Sequence, residues 1–106
     1  MTEKRDVYSF GVILLELLTG CSLFDPQFGE GRDIVYWVLT DLYVQRGKDV
    51  LDPRVSGPSE DVMVTVLKVA ILCTAKLPSL HPTMREVVNM LVDSDPFIYQ
   101  QGEEFW

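Results

Sequence analysis

The chain has 106 residues, 47% of them hydrophobic, and a formal net charge of -7; that is the length of one domain and the apolar content of a packed one. The negative balance argues against direct nucleic-acid binding and against a polybasic membrane-surface segment, both of which need clustered cations. Two cysteines, Cys21 and Cys73, and one histidine, His81, are too few for a disulfide scaffold or a four-ligand zinc site, so two reduced, mostly buried thiols are expected.

The first predicted helix runs from about Arg5 to Thr19 and is apolar on nearly every side. A helix of that kind must be buried all round unless it crosses a membrane. Glu16 interrupts this run and Lys68 a later one, so no stretch reaches the ~20 apolar residues of a membrane span. Asp6 lies in the first turn, where a carboxylate meets the positive end of the helix dipole. Gly20 suits the C-cap. Gly11, costing about 1 kcal/mol against alanine inside a helix, suggests close approach by another backbone. Lys4 and Arg5 before the apolar run, with Leu18-Thr19-Gly20-Cys21, resemble a lipoprotein leader, but Glu3, Asp6 and Glu16 spoil that pattern.

A loop follows from Cys21 to Gly31, with Leu23, Phe24 and Phe28 expected to pin it to apolar surface. A second helix is predicted from Asp33, its N-cap, to Gln45, with Ile34, Trp37, Val38, Asp41 and Leu42 near helical spacing. Gly47 ends it. In the connector from Lys48 to Pro58, Asp52-Pro53 disfavours helix, and Val50, Leu51 and Val55 are short anchors. A third helix is predicted from Ser59, its cap, to Thr74, burying Val62, Val66, Val69, Ala70 and Cys73. After a proline-bearing loop, Thr83-Met84-Arg85-Glu86 is a capping box that opens the last helix. Its stripe is Met84, Val87, Val88, Met90 and Leu91, and Asp95-Pro96 stops it. Residues 97–106 form a short acidic and aromatic tail.

No self-sufficient active site emerges. Gly29-Glu30-Gly31 carries an acid where a phosphate cradle needs bare N–H groups, and lacks the P-loop lysine. His81 precedes a proline in a loop with no nucleophile-elbow serine beside it. The pairs Glu60-Asp61 and Glu103-Glu104 read as solvated or helix-start charges.

Three segments carry a family resemblance. Asp6-Val7-Tyr8-Ser9-Phe10-Gly11-Val12-Ile13-Leu14-Leu15-Glu16-Leu17-Leu18-Thr19-Gly20 resembles the buried central helix of the protein kinase large lobe. Ala70-Ile71-Leu72-Cys73-Thr74-Ala75-Lys76-Leu77-Pro78-Ser79-Leu80 resembles the turn between its last two helices, and His81-Pro82-Thr83-Met84-Arg85-Glu86-Val87-Val88-Asn89-Met90-Leu91 its final helix. Asp52-Pro53-Arg54-Val55 is similar to a linker between the second and third of these helices. More narrowly, the chain resembles plant leucine-rich-repeat receptor-like serine/threonine kinases.

The resemblance implies an all-α, partial large lobe of about four helices over residues 1–96, with 97–106 as a tail. It implies that Asp6 anchors the catalytic loop through backbone N–H groups, and that His81 replaces an arginine that pairs with the glutamate of A-P-E. The Gly-rich loop, H-R-D, D-F-G and A-P-E are absent. The chain alone is therefore expected to be a catalytically inactive fragment with no catalytic, cofactor-binding or metal-binding residue of its own. The complete kinase would use ATP and magnesium to phosphorylate protein Ser or Thr, as a single-pass plasma-membrane receptor with this region on the cytoplasmic side. The alternative is a non-catalytic interaction module for kinases or other signalling proteins, docking through Tyr36, Trp37 and Tyr43; a weaker one is a small secreted lipoprotein. Exposing ~400 Å² of apolar surface would forfeit about 10 kcal/mol, so self-association or dependence on a partner is expected.

Overall fold

The computed structural model describes residues 3–45, 47–55 and 59–94. They form four helices, α1 (Glu3–Thr19), α2 (Ile34–Gln45), α3 (Glu60–Cys73) and α4 (Met84–Ser94), with single 3-10 turns at Pro26–Phe28, Lys48–Val50 and Pro78–Leu80. Among the described residues there is no strand, and the all-α architecture expected from the sequence is the one observed. The predicted stop at Asp95-Pro96 and the tail lie outside the described residues.

α2, α3 and α4 start where a side chain can satisfy their unpaired N–H groups. Asp33 Oδ1 accepts from Tyr36 N at 3.0 Å, and Ser59 Oγ from Val62 N at 3.3 Å. The capping box closes both ways: Glu86 N donates to Thr83 Oγ1 at 3.1 Å, and Thr83 N to Glu86 Oε1 at 3.0 Å. α1 begins two residues earlier than expected and ends at Gly20, whose φ of 73° and N–H bond to Glu16 O at 2.9 Å form the left-handed cap.

α1 and α3 make the central seam. Val7, Gly11, Leu15 and Thr19, one per turn, are buried on α1. They face Leu67, Val69, Ala70 and Cys73 of α3. Gly11 explains itself here: a Cβ would stand 2.7 Å from Cys73 Cβ, 2.8 Å from Thr74 Cγ2 and 2.9 Å from the Ala70 carbonyl oxygen. The backbones approach too closely for any side chain. Cys73 is buried and Cys21 half-buried, both are free thiols, and burial pushes the Cys73 thiol up.

Two apolar clusters flank the seam. Leu15, Phe28, Ile34, Val38, Val50, Leu67 and Ala70 join α1, α2 and α3, with Trp37 stacked on Phe28 at 4.8 Å between ring centroids. Val7, Val69, Cys73 and Val87 join α1, α3 and α4. The Asp52-Pro53-Arg54-Val55 turn ties on to the C-terminus of α1, where Asp52 N donates to Leu18 O at 2.8 Å. Within it Arg54 clasps the Asp52 carboxylate, with Nη2 to Oδ2 at 2.6 Å, and holds that carboxyl below its ordinary range.

Three packing expectations need correction. Phe24 is 70% exposed; the Leu23 carbonyl accepts from Ile34 N, and the side chain next along turns outward. Val88 is 52% exposed, because α4 meets its neighbours on one side only, through Met84, Val87, Met90 and Leu91. Leu67 is fully buried, while Val62 and Val66, which helical spacing places on the buried face, are half-buried.

Candidate functional site

A groove of about 1020 Å³ lies between the first turns of α1, the start of α2, the end of α3 and the loop before α4. Tyr8, Leu39, Leu72, Leu77 and Leu80 give it an apolar floor. Its rim is basic: Lys4 and Arg5 from α1, Arg32 ahead of α2, and Lys76 after α3 are all exposed. Arg32 lies over the Tyr36 ring, 4.9 Å from its centroid. Asp33 is the acidic residue of the lining, and it is occupied as the α2 cap. The lining of the groove thus holds four cationic side chains and one carboxylate, on a chain of net charge -7.

His81 closes one end of the groove. Its Nε2–H donates to the Ala75 carbonyl, bracing the loop between α3 and α4. Its Nδ1 is buried and has no partner among the described residues. No acid–base or nucleophile–base pair is assembled around it by these contacts. Asp6 is elsewhere: it is exposed on α1, outside the groove lining, and its carboxylate has no hydrogen-bond partner among the described residues. Asp6 is thus not among the residues that line the groove that His81 closes.

The three aromatic residues of α2 also separate. Tyr36 and Tyr43 are 48% and 93% exposed and, with Leu39 and Thr40, line a shallow depression of about 400 Å³. Trp37 turns inward on to Phe28. The outer face of α1 is open as well, with Ile13 53% and Leu17 66% exposed. Among the described residues no group of three or more His, Cys, Asp or Glu could hold a metal ion, and no helix is long and apolar enough to cross a membrane. Sequence reasoning missed the basic rim because its four cations come from three distant segments, each unremarkable alone.

No family model matches the chain. It is 51% identical over 100 residues to receptor protein-tyrosine kinase CEPR2 of Arabidopsis thaliana, covering 92% of this chain and 10% of that protein. It is 45% identical over 97 residues to receptor-like protein kinase 7, covering 91% and 10%, from the same plant. A probable leucine-rich repeat receptor-like protein kinase of that plant, At5g63930, is 46% identical over 101 residues, covering 90% and 9%. The chain spans about a tenth of the length of the curated relatives it matches.

Proposed function

We propose that this chain, a homologue of a segment of plant leucine-rich-repeat receptor-like kinases, acts as the C-terminal scaffold of a protein kinase large lobe and handles neither ATP nor magnesium itself. The observation that carries this reading is the half-wrapped α1. Val7, Gly11 and Leu15 are buried against α3, while Ile13 and Leu17 on the same helix face outward. A helix with apolar side chains on its open side is suited to a further body of protein packed against it.

In this reading the remainder of the kinase domain covers that open side, and Asp6 accepts from backbone N–H groups of the catalytic loop. Such an aspartate supports chemistry by holding a loop in shape, without touching substrate. His81 takes the place of the arginine that would clasp the A-P-E glutamate. With its proton on Nε2 and given to Ala75, a neutral His81 offers the glutamate only the Nδ1 lone pair, which repels a carboxylate. Only the imidazolium would donate there, so this lock is weaker than an arginine's. The complete domain would transfer phosphate from ATP to protein hydroxyls on the cytoplasmic side of the plasma membrane. Serine and threonine are the acceptors that the family resemblance favours, although two relatives carry protein-tyrosine kinase in their names.

The test is a graft. Residues 3–94 replace the matching segment of receptor-like protein kinase 7, and autophosphorylation is measured with and without Asp6→Asn. The graft should be active, and Asp6→Asn should lower kcat by about 10-fold or more with little change in the KM for ATP, as expected of a residue that preorganises the site. A folded, inactive graft, or an Asp6→Asn graft with full activity, overturns the reading. The purified chain alone should transfer no phosphate.

The exposed Tyr36, Leu39, Tyr43 and Val44 of α2 favour a second reading, an interaction surface for signalling proteins or for a second copy. Sedimentation of the chain with Tyr43→Glu separates the two. Association lost in that variant supports the α2 surface, and association unchanged removes it.

A further inference from the structure

We propose that the C-terminal segment Glu103-Glu104-Phe105-Trp106 of this same chain docks in the basic-rimmed groove. Three observations converge on that occupant. The first is charge: the groove gathers Lys4, Arg5, Arg32 and Lys76, four of the nine Lys and Arg of a chain with sixteen acids. Attraction between unlike charges at the rim favours an acidic segment over a neutral one. The second is the floor. Tyr8, Leu72, Leu77 and Leu80 present apolar surface that two carboxylates alone would leave wet. Glu103-Glu104 followed directly by Phe105-Trp106 supplies a charged part for the rim and an aromatic part for the floor.

The third is reach. α4 starts beside the groove: His81 lines it, and Met84 N lies 3.4 Å from Glu3 Oε1 on the first turn of α1. The eleven residues of α4 span about 16 Å, the most by which that helix can carry the chain from the groove. The twelve residues after Ser94 can extend about 40 Å, enough to return along α4 and still leave several residues in the groove. Tethering also places the segment at millimolar effective concentration, so weak contacts suffice. The proposal does not rest on the kinase reading, since it uses only the groove and the sequence. In a complete kinase domain, the segment would compete with any other chain that enters the same groove.

The test uses the full chain with a zero-length carbodiimide, which joins carboxylates to amines in direct contact. Mass spectrometry of the monomer should find Glu103 or Glu104 joined to Lys4 or Lys76, with a yield that falls roughly threefold when ionic strength rises from about 0.05 to about 0.5 M. As a second readout, the double variant Glu103→Lys, Glu104→Lys should speed amide exchange at Leu80, whose N–H bonds Leu77 O in the groove wall, by about tenfold. Both substitutions fall outside the described residues that form the core clusters, so a folding control by helix content accompanies the exchange measurement. Cross-links found only between chains, links to neither lysine, or exchange unchanged in the variant would overturn the proposal.

Discussion

The two faces of α1 are built from the same residue types and meet opposite fates. Leu15 is fully buried, while Leu17, two positions on, is 66% exposed. Ile13 is 53% exposed, while Val7, six residues earlier, is fully buried. The difference lies in what stands opposite, not in hydrophobicity. α3 comes close enough on one side to touch the backbone at Gly11, and nothing among the described residues covers the other side to the same degree. Apolar content thus marks a helix that needs cover, and only packing partners decide which side receives it.

The strongest way to break this comparison is to truncate one leucine on each face. Leu15→Ala leaves a cavity between α1, α2 and α3 and should cost about 3 kcal/mol in urea unfolding. Leu17→Ala should fall within about 0.5 kcal/mol of the parent chain. Equal losses would mean that the outer face is packed after all. Dye binding adds a check, because Ile13→Glu with Leu17→Glu should reduce the binding of an apolar fluorophore without lowering helix content.

Gly11→Ala probes the seam from the backbone. Alanine gains about 1 kcal/mol of intrinsic helix preference over glycine. Against that, its methyl would meet Cys73 Cβ, Thr74 Cγ2 and the Ala70 carbonyl oxygen at 2.7 to 2.9 Å. The carbonyl belongs to α3 itself and moves only if the helices part. The net effect should be a loss of about 2 kcal/mol. A stabilising Gly11→Ala would show that α1 and α3 can separate at little cost.

These particulars also separate what was readable in the sequence from what was not. The caps were readable because their chemistry is local: Asp33, Ser59 and the Thr83–Glu86 box act within three residues. Gly11 was readable because glycine inside an apolar helix is costly and implies a neighbour. The burial of Leu67, the exposure of Val88 and the outward turn of Phe24 were not, since each depends on which helix lies opposite. The groove was least readable of all. Its basic rim exists only after residues 4–5, 32 and 76 are brought together across the chain. The resemblance to kinases named Asp6 and His81 by position, yet the contact between His81 and the Ala75 carbonyl needed coordinates.

The comparison sharpens furthest where an inward stripe contains a charge. On α2, Ile34 and Val38 are fully buried, and Asp41 follows them on the same side, half-buried. Its Oδ2 is buried without a hydrogen-bond partner among the described residues. Burial first, and then the negative charge of Asp49, raise the Asp41 carboxyl above the ordinary 3.8, against a lowering by the Gly47 backbone N–H. A carboxyl whose proton is held more tightly in the folded chain than in the unfolded one contributes stability below the unfolded value, and loses it as pH rises through the folded value. At neutral pH Asp41 is therefore a cost, where an apolar neighbour such as Val38 is a gain. Asp41→Asn keeps the shape and the oxygen that Gly47 can reach, and removes the repulsion from Asp49. Because water screens this half-buried site, the gain at pH 7 should be small, about 0.5 kcal/mol. It should shrink toward zero as pH falls below the unfolded carboxyl value, where Asp41 is neutral in both states. Urea midpoints for both chains at a series of pH values would show this convergence. A variant that is less stable at pH 7, or more stable by the same amount at every pH, would mean that the charge on Asp41 is solvated as well in the folded chain as in the unfolded one.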